Sequence, residues 1–298
     1  MKRILLILLS FICAMTTISA KDGLLIVAHG ARIPQWNQPA LALEGVTRNL
    51  LKQRGITSFA CVRAALMEYS QPSVANVIKE MEAEGVDRIF AMPVFISPSS
   101  HTEEDLPNIL GHKYNPATLH DLIEEGTTLV SSKVPVVLGP TLIYSDVISN
   151  AIIRQVKALS KNPKDEALIL LAHGDEGYMD FWNVLIQQTD DDVKKALGFS
   201  YTYHGFVEMG QEFAKKIIPT ILDASKKKKR IILQGIYLVS GVKTMAQRFG
   251  LPQAIAEAIK DKNVEIVYSE KGLIPEANED VADWIIKCAT NWQKIERK

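Results

Sequence analysis

Hydrophobic residues in this chain fall in short unbroken runs rather than in alternation. Leu24 to Ala28 (LLIVA) and Ala167 to Ala172 (ALILLA) are the clearest, and each ends in His-Gly, at His29-Gly30 and His173-Gly174. Runs of roughly 4 to 8 apolar residues bounded by turn residues mark strands buried on both faces, as in a parallel sheet. Each run is followed by a stretch of helical periodicity, Pro39 to Arg54 in the first half and Met179 to Leu197 in the second. Second strands come next, Phe59 to Leu66 and Tyr201 to Val207, leading into Met67-Glu68 and Glu208-Met209. Helices over Val74 to Glu84 and Phe213 to Ala224 then precede third apolar runs, Arg88 to Ile96 and Arg230 to Val239.

The same elements recurring in the same order at a near-constant offset predict an internally duplicated βαβαβ unit. The expected fold is α/β, with two similar lobes, each a parallel sheet flanked by helices. Each lobe is expected to add a fourth strand (Val134 to Leu138; Val264 to Val267) and a closing helix (Ser145 to Leu159; Asn278 to Trp292). Lys161-Asn162-Pro163 breaks the helix between them, which divides the chain into lobes over 21–162 and 163–298. Gly111 to Lys133 has no counterpart in the second half and reads as an inserted loop or short helix.

The first twenty residues are a separate object. Lys2 and Arg3 precede an apolar run from Ile4 to about Met15, and Ile18-Ser19-Ala20 offers a small residue for cleavage. That order is the pattern of a secretory signal peptide, so the protein is expected to be exported, to the periplasm, and to begin near Lys21. The run is short of the roughly 20 residues of a membrane span, and no later segment is long and apolar enough to be one. Ile12, where a lipid-attachment signal would carry a small residue before Cys13, argues against a lipoprotein. Losing Cys13 with the leader leaves Cys61 and Cys288, as two buried free thiols or one disulfide. There is no CxxC, hence no thiolate zinc site of that kind.

Composition narrows the function classes. Over 298 residues, 47% hydrophobic and 23% charged content describe a folded globular chain. Lys plus Arg (34) equals Asp plus Glu (34), so nothing in the overall charge argues for nucleic acid. The basic run Lys226 to Arg230 is either a solvated helix end or a contact for an anionic surface.

In an open parallel sheet, ligands bind beyond the carboxyl ends of the strands. His29 ends the first strand, Glu68 follows the second, and His101 lies just after the third, so all three are expected on one rim of the first lobe. Two neutral imidazoles and a carboxylate suit a divalent first-row metal; the same groups could instead move protons. The second lobe keeps His173 and Glu208, but Lys243 stands where His101 has its counterpart, and an ammonium is a poor metal ligand. Lys243 either holds an acidic group of a ligand or is simply exposed. Structural roles compete at single positions, since a strand-end His is often a hydrogen-bonding residue and Glu68 could cap the helix begun near Ser70 and Pro72. His112 and His120 fall in the inserted segment, where surface placement is expected, and His204 falls within a strand.

At these residues the chain resembles the class II tetrapyrrole chelatases, in particular the sirohydrochlorin cobaltochelatase group often called CbiX. The resemblance is carried by LLIVAHGAR (Leu24 to Arg32), ALMEYSQPSV (Ala65 to Val74), MPVFISPSSHTEEDLP (Met92 to Pro107) and VVLGPTLIYSDVI (Val136 to Ile148). It is strong in the first lobe; in the second it rests mainly on LILLAHG (Leu168 to Gly174) and on layout. It implies that His29 and His101 are the metal-site histidines and Glu68 the nearby acid. It also implies that the reaction inserts a divalent metal, Co²⁺ or alternatively Ni²⁺ or Fe²⁺, into sirohydrochlorin or a related macrocycle. A cleft between the lobes would take the flat ring. Phe95, Ile96 and Trp36 are candidates for its apolar wall or for ordinary core packing, and Arg32 and Arg63 for pairing with substrate carboxylates or for surface charge. Family members of this kind work in the cytoplasm, and the export pattern sets this chain apart. A haem- or metal-binding protein of the periplasm, on the same fold but without turnover, is the competing expectation. Ala28 before His29 lacks the arginine of a histidine phosphatase, no G-x-S-x-G elbow is present, and no phosphate loop is present that would couple insertion to ATP.

Overall fold

The computed structural model describes residues 20–207, 212–248, 250–260 and 262–296. The expected leader, apart from Ala20, lies outside the described residues, as do Glu208 and Met209. The first half runs β1 (Asp22–Ala28), α1 (Pro34–Gln53), β2 (Phe59–Leu66), α2 (Val74–Ala83) and β3 (Arg88–Pro93). A π-helical turn, His101–Asp105, then leads into α3 (Leu106–Ile109), α4 (Pro116–Glu124), β4 (Val136–Leu138) and α5 (Val147–Leu159). The second half runs β5 (Glu166–Ala172), α6 (Met179–Leu197), β6 (Thr202–Phe206), α7 (Glu212–Ser225) and β7 (Arg230–Ile236). It ends with α8 (Val242–Arg248), α9 (Leu251–Ala258), β8 (Glu265–Tyr268) and α10 (Leu273–Glu296). Two four-stranded sheets result, β2-β1-β3-β4 and β6-β5-β7-β8, with every pairing parallel.

The apolar runs occupy central strands because a strand flanked on both sides and covered on both faces has no solvent-facing position to offer. All seven residues of β1 and of β5 are buried. Leu24, Ile26 and Ala28, with Leu168, Leu170 and Ala172, feed one core common to both sheets, whereas Leu25 and Val27, and Ile169 and Leu171, face separate outer cores. The inserted segment holds α4, whose Asn115 side chain accepts from the Ala117 amide and caps the helix. Helix α1 starts at Pro34 and carries Pro39 inside it, so its proline-led first turn comes earlier than the sequence expectation.

The closing helices depart from expectation in a larger way, because they are exchanged. Helix α10 packs on the sheet of the first half. There Trp292 stacks on Phe90 at 5.1 Å, and Gln293 Nε2 donates to the buried Asp22 carboxylate at 2.8 Å. Helix α5 packs on β7 of the second half, where the Gln234 amide donates to Gln155 Oε1 at 2.6 Å in a buried pair. Helices α1, α10, α5 and α6 thus form one continuous layer behind both sheets, built on the common core. An amphipathic stripe specifies that a helix must cover an apolar face but not which of two similar faces it covers. The carboxyl ends of β1, β3, β5 and β7 open on a shared cleft between the lobes.

Candidate metal centre

The chain leaves β1 through His29 and turns at Gly30, whose φ of 96° lies in the region that glycine alone adopts freely. A Cβ at Gly30 would run into the backbone carbonyl of Glu68, so the His-Gly pair permits a close approach of two strand ends. The amides of Met67 and Glu68 donate to the carbonyls of Ala28 (2.8 Å) and His29 (2.9 Å), which extends the β1–β2 pairing past both strands. That zipper fixes the Glu68 carboxylate beside the His29 ring, with the Glu68 side chain only 3% exposed. His101 arrives from the other side of β1, as the first residue of the π-helical turn that follows β3.

The two imidazoles meet edge to face with centroids 4.2 Å apart. His29 Nε2 lies 3.5 Å from one Glu68 oxygen, and His101 Nδ1 lies 3.8 Å from the other. The tautomers follow from the partners. His29 Nδ1 is 2.7 Å from the Gly30 carbonyl oxygen, which can only accept, so Nδ1 carries the proton and Nε2 presents a lone pair. That Nε2 is buried and has no hydrogen-bond partner. His101 Nδ1 is 2.7 Å from Asp105 Oδ2, one helical turn on, so its Nε2 is also released as a donor to a cation. A carboxylate bonded to the far nitrogen is the arrangement that orients metal-binding histidines. One donor atom from each of His29, Glu68 and His101 lies within 4.8 Å of the others. Ligands around a tetrahedral ion at about 2.1 Å stand about 3.4 Å apart, so a small inward movement would suffice.

Charge follows burial and neighbours. Burial, reinforced by His101, lowers the His29 pKa from 6.5 to about 4, which keeps the ring neutral with its lone pair free. Burial pushes Glu68 up, against the opposing pull of His101. For His101 burial acts downward, but the Asp105 hydrogen bond and the Glu68 charge outweigh it and raise the pKa. Protonation is thus favoured at His101 relative to His29.

The centre opens on the cleft, a hollow of about 570 Å³ with predominantly apolar walls. Arg32, Trp36, Phe95 and Ile96 line it, together with His29 and His101 from the first lobe and His173 from the second. Phe95 lies edge-on to His29 at 6.4 Å, and Arg32 is poised over the Tyr69 ring at 4.8 Å. Trp36 reaches across to the second lobe, where Arg248 lies over its ring at 5.0 Å.

Two residues expected at this site are elsewhere. Arg63 sits midway along edge strand β2 and pairs with Glu84 at 2.5 Å at the end of α2. Its alternation places it with Cys61 and Ala65, on the sheet face away from the common core. Lys243 lies at the start of α8, exposed and ion-paired with Glu270, while Met245 of the same helix lines the cleft. Among the remaining histidines, His112 is exposed. His120 is exposed beside Asp121 and Glu124. His204, on edge strand β6, stands 4.0 Å from Asp190. Cys61 and Cys288 are both free thiols.

The structure adds three residues that sequence reasoning passed over. Asp105 holds His101 from one helical turn on, at i, i+4 spacing. Tyr69, in a left-handed conformation (φ 61°), turns the chain after Glu68 and lines the cleft. Asp175 of the second lobe accepts from the Ser100 amide (3.0 Å) and hydroxyl (3.2 Å), which ties the lobes together one residue before His101.

Two parallel α/β lobes with a His–Glu–His cluster at the mouth of the cleft between them define a two-lobed chelatase-type fold. Residues 23–159 match the CbiX family model. The sirohydrochlorin cobaltochelatase of Sulfurisphaera tokodaii is 31% identical over 88 residues, 30% of this chain and 67% of that one. That of Methanococcus maripaludis is 31% identical over 90 residues, 30% of this chain and 58% of its own length, so this match spans under two thirds of that relative. Among solved structures, the sirohydrochlorin chelatase SirB from Bacillus subtilis subspecies spizizenii, in complex with cobalt, superposes with a TM-score of 0.62 at 13% identity, covering 91% of this chain and 96% of that one. The chain belongs to the CbiX family, and the likeness to SirB shows that the two-lobed fold extends through the second half as well.

Proposed function

We propose that the protein is a metallochelatase that inserts a divalent metal ion into sirohydrochlorin or a related tetrapyrrole without ATP. The observation that carries this reading is the cluster of His29, Glu68 and His101, which combines an unpartnered imidazole nitrogen with a buried carboxylate at the mouth of an apolar cleft. Inserting M²⁺ requires stripping water from the ion and exchanging it for two pyrrole protons. Two imidazole lone pairs and one carboxylate can replace part of the ion's hydration and offset its charge while the ring settles against the cleft wall. His29, Glu68 and His101 are the residues assigned to the ion, with Phe95 and Arg32 on the macrocycle. Co²⁺ is the metal favoured, since the family relatives are named cobaltochelatases and a structural neighbour was solved with cobalt; Ni²⁺ and Fe²⁺ are the alternatives.

Export to the periplasm is part of the proposal and rests on the leader pattern in residues 1–20; N-terminal sequencing of the protein recovered from its native compartment should begin near Lys21. The activity is tested by incubating purified protein with sirohydrochlorin and Co²⁺ and following the absorbance change of metallation. Multiple turnovers are expected, with loss of turnover in His101→Ala. Stoichiometric binding without turnover would replace this reading with that of a haem- or metal-binding protein on the same fold.

A further inference from the structure

The second lobe repeats half of the metal centre and drops the rest. His173 leaves β5 as His29 leaves β1, is followed by a positive-φ glycine (Gly174, φ 81°), and places Nδ1 2.7 Å from that glycine's carbonyl oxygen. Its Nε2 therefore also carries a lone pair. Yet no second metal centre surrounds it. Lys243, which takes the place of the third-strand histidine, is turned out to Glu270. Among the described residues, the group of three His, Cys, Asp or Glu that could hold an ion is the one in the first lobe. His173 differs from His29 in a second respect, because it is exposed and stands on the wall that the other lobe contributes to the same cleft. Its loop is held there by Asp175, which accepts both Ser100 bonds.

We propose that His173 is the base that removes the pyrrole protons, acting on the face of the macrocycle opposite the metal centre. The inference rests on the chelatase reading and deepens it. For each ion inserted, two ring N–H bonds break, both electron pairs stay on nitrogen and become metal–nitrogen bonds, and two protons leave; no atom changes oxidation state. A base on the metal's own face would have to reach the N–H protons past the incoming ion, whereas one on the opposite face can withdraw them without obstructing it. His173 Nε2 can accept one proton, release it to water through its exposed edge, and accept the second.

The test uses the purified full chain, sirohydrochlorin and Co²⁺. In His173→Ala, turnover should fall by about 100-fold or more, the range general-base catalysis supplies. Co²⁺ binding measured without macrocycle should match the unsubstituted protein. Imidazole added to the buffer should restore a substantial part of the lost turnover, which a merely structural role would not allow. Undiminished turnover, weakened Co²⁺ binding, or a loss that imidazole does not relieve would each overturn the assignment while the chelatase reading stood. An unsubstituted protein that fails to metallate the ring would remove both.

Discussion

At His29 one ring does two jobs, because the nitrogen that bonds the Gly30 carbonyl fixes the tautomer and thereby frees the other for a cation. Burial keeps this ring neutral, and the sign of the consequence is definite. With a folded pKa of about 4 against 6.5, the unfolded chain takes up a proton first as the solution is acidified. The His29 contribution to stability is therefore whole above about pH 6.5 and is lost as pH falls toward 4. In the metal-free protein, the ring resonances of His29 should titrate with a midpoint near 4 in a histidine NMR titration; a midpoint near 6.5 would mean that the ring is not enclosed. His101 is shifted the other way, since Asp105 and Glu68 outweigh the lowering effect of its burial. Asp105→Asn keeps the size of the side chain but removes the charge that orients His101 Nδ1–H. Co²⁺ affinity, measured by calorimetry, should drop by about 10- to 100-fold, the usual effect of such supporting partners. Unaltered affinity would separate Asp105 from the metal centre. His29, Glu68 and His101 were legible as a group from the sequence because each follows the carboxyl end of a neighbouring parallel strand, so the sheet brings them to one rim. Asp105 was not, because reading it required knowing that His101 to Asp105 coils into a helical turn, and the Ser-Pro-Ser-Ser just before it carries the composition of a loop.

At the level of elements, β2, α6 and the parallel order of both sheets follow directly from the apolar runs and the helical periodicity between them. What the pattern did not carry was the partner of each closing helix. Helices α5 and α10 present similar apolar stripes, with Ile148, Ala151, Ile152 and Val156 on one and Val281, Ile285, Ile286 and Ala289 on the other. Either stripe satisfies either sheet in outline, and the choice is made by larger and more specific groups. Trp292 fits between Phe90 and Arg88, whose guanidinium lies 4.8 Å over the indole. Gln293 answers Asp22, a carboxylate with no exposure that also accepts two bonds from Arg88 at 2.9 and 2.7 Å. Trp292→Ala should accordingly destabilise the protein by about 3–5 kcal/mol, as for other buried aromatic truncations, read from urea unfolding monitored by circular dichroism. A change below about 1 kcal/mol would indicate that α10 contributes little to the first sheet.

For the molecule as a whole, the exchange of helices means that the lobes are duplicated in sequence but not independent in folding. A chain ending near Pro163 would hold β1 to β4 and α1 to α5 yet lack α10, and so would leave bare the face of α1 and β3 that Trp284, Ile285, Ala289 and Trp292 share through the common core. It would also leave the apolar face of α5 without β7 and α6, its neighbours in the intact protein. Two large apolar surfaces exposed at once on a fragment of this size favour aggregation or a loosely packed state. A fragment of residues 21–162 should therefore fail to show a cooperative urea transition, even though it contains His29, Glu68 and His101. Adding a peptide of residues 273–296 should restore part of the structure by supplying the missing cover. A cooperative, monomeric fragment that binds Co²⁺ unaided would instead mean that the first lobe can recruit its own α5 as a substitute. In that event the exchanged arrangement would serve to hold the two cleft walls in register, with Asp175 on Ser100 as its fastening at the mouth, rather than to complete either fold.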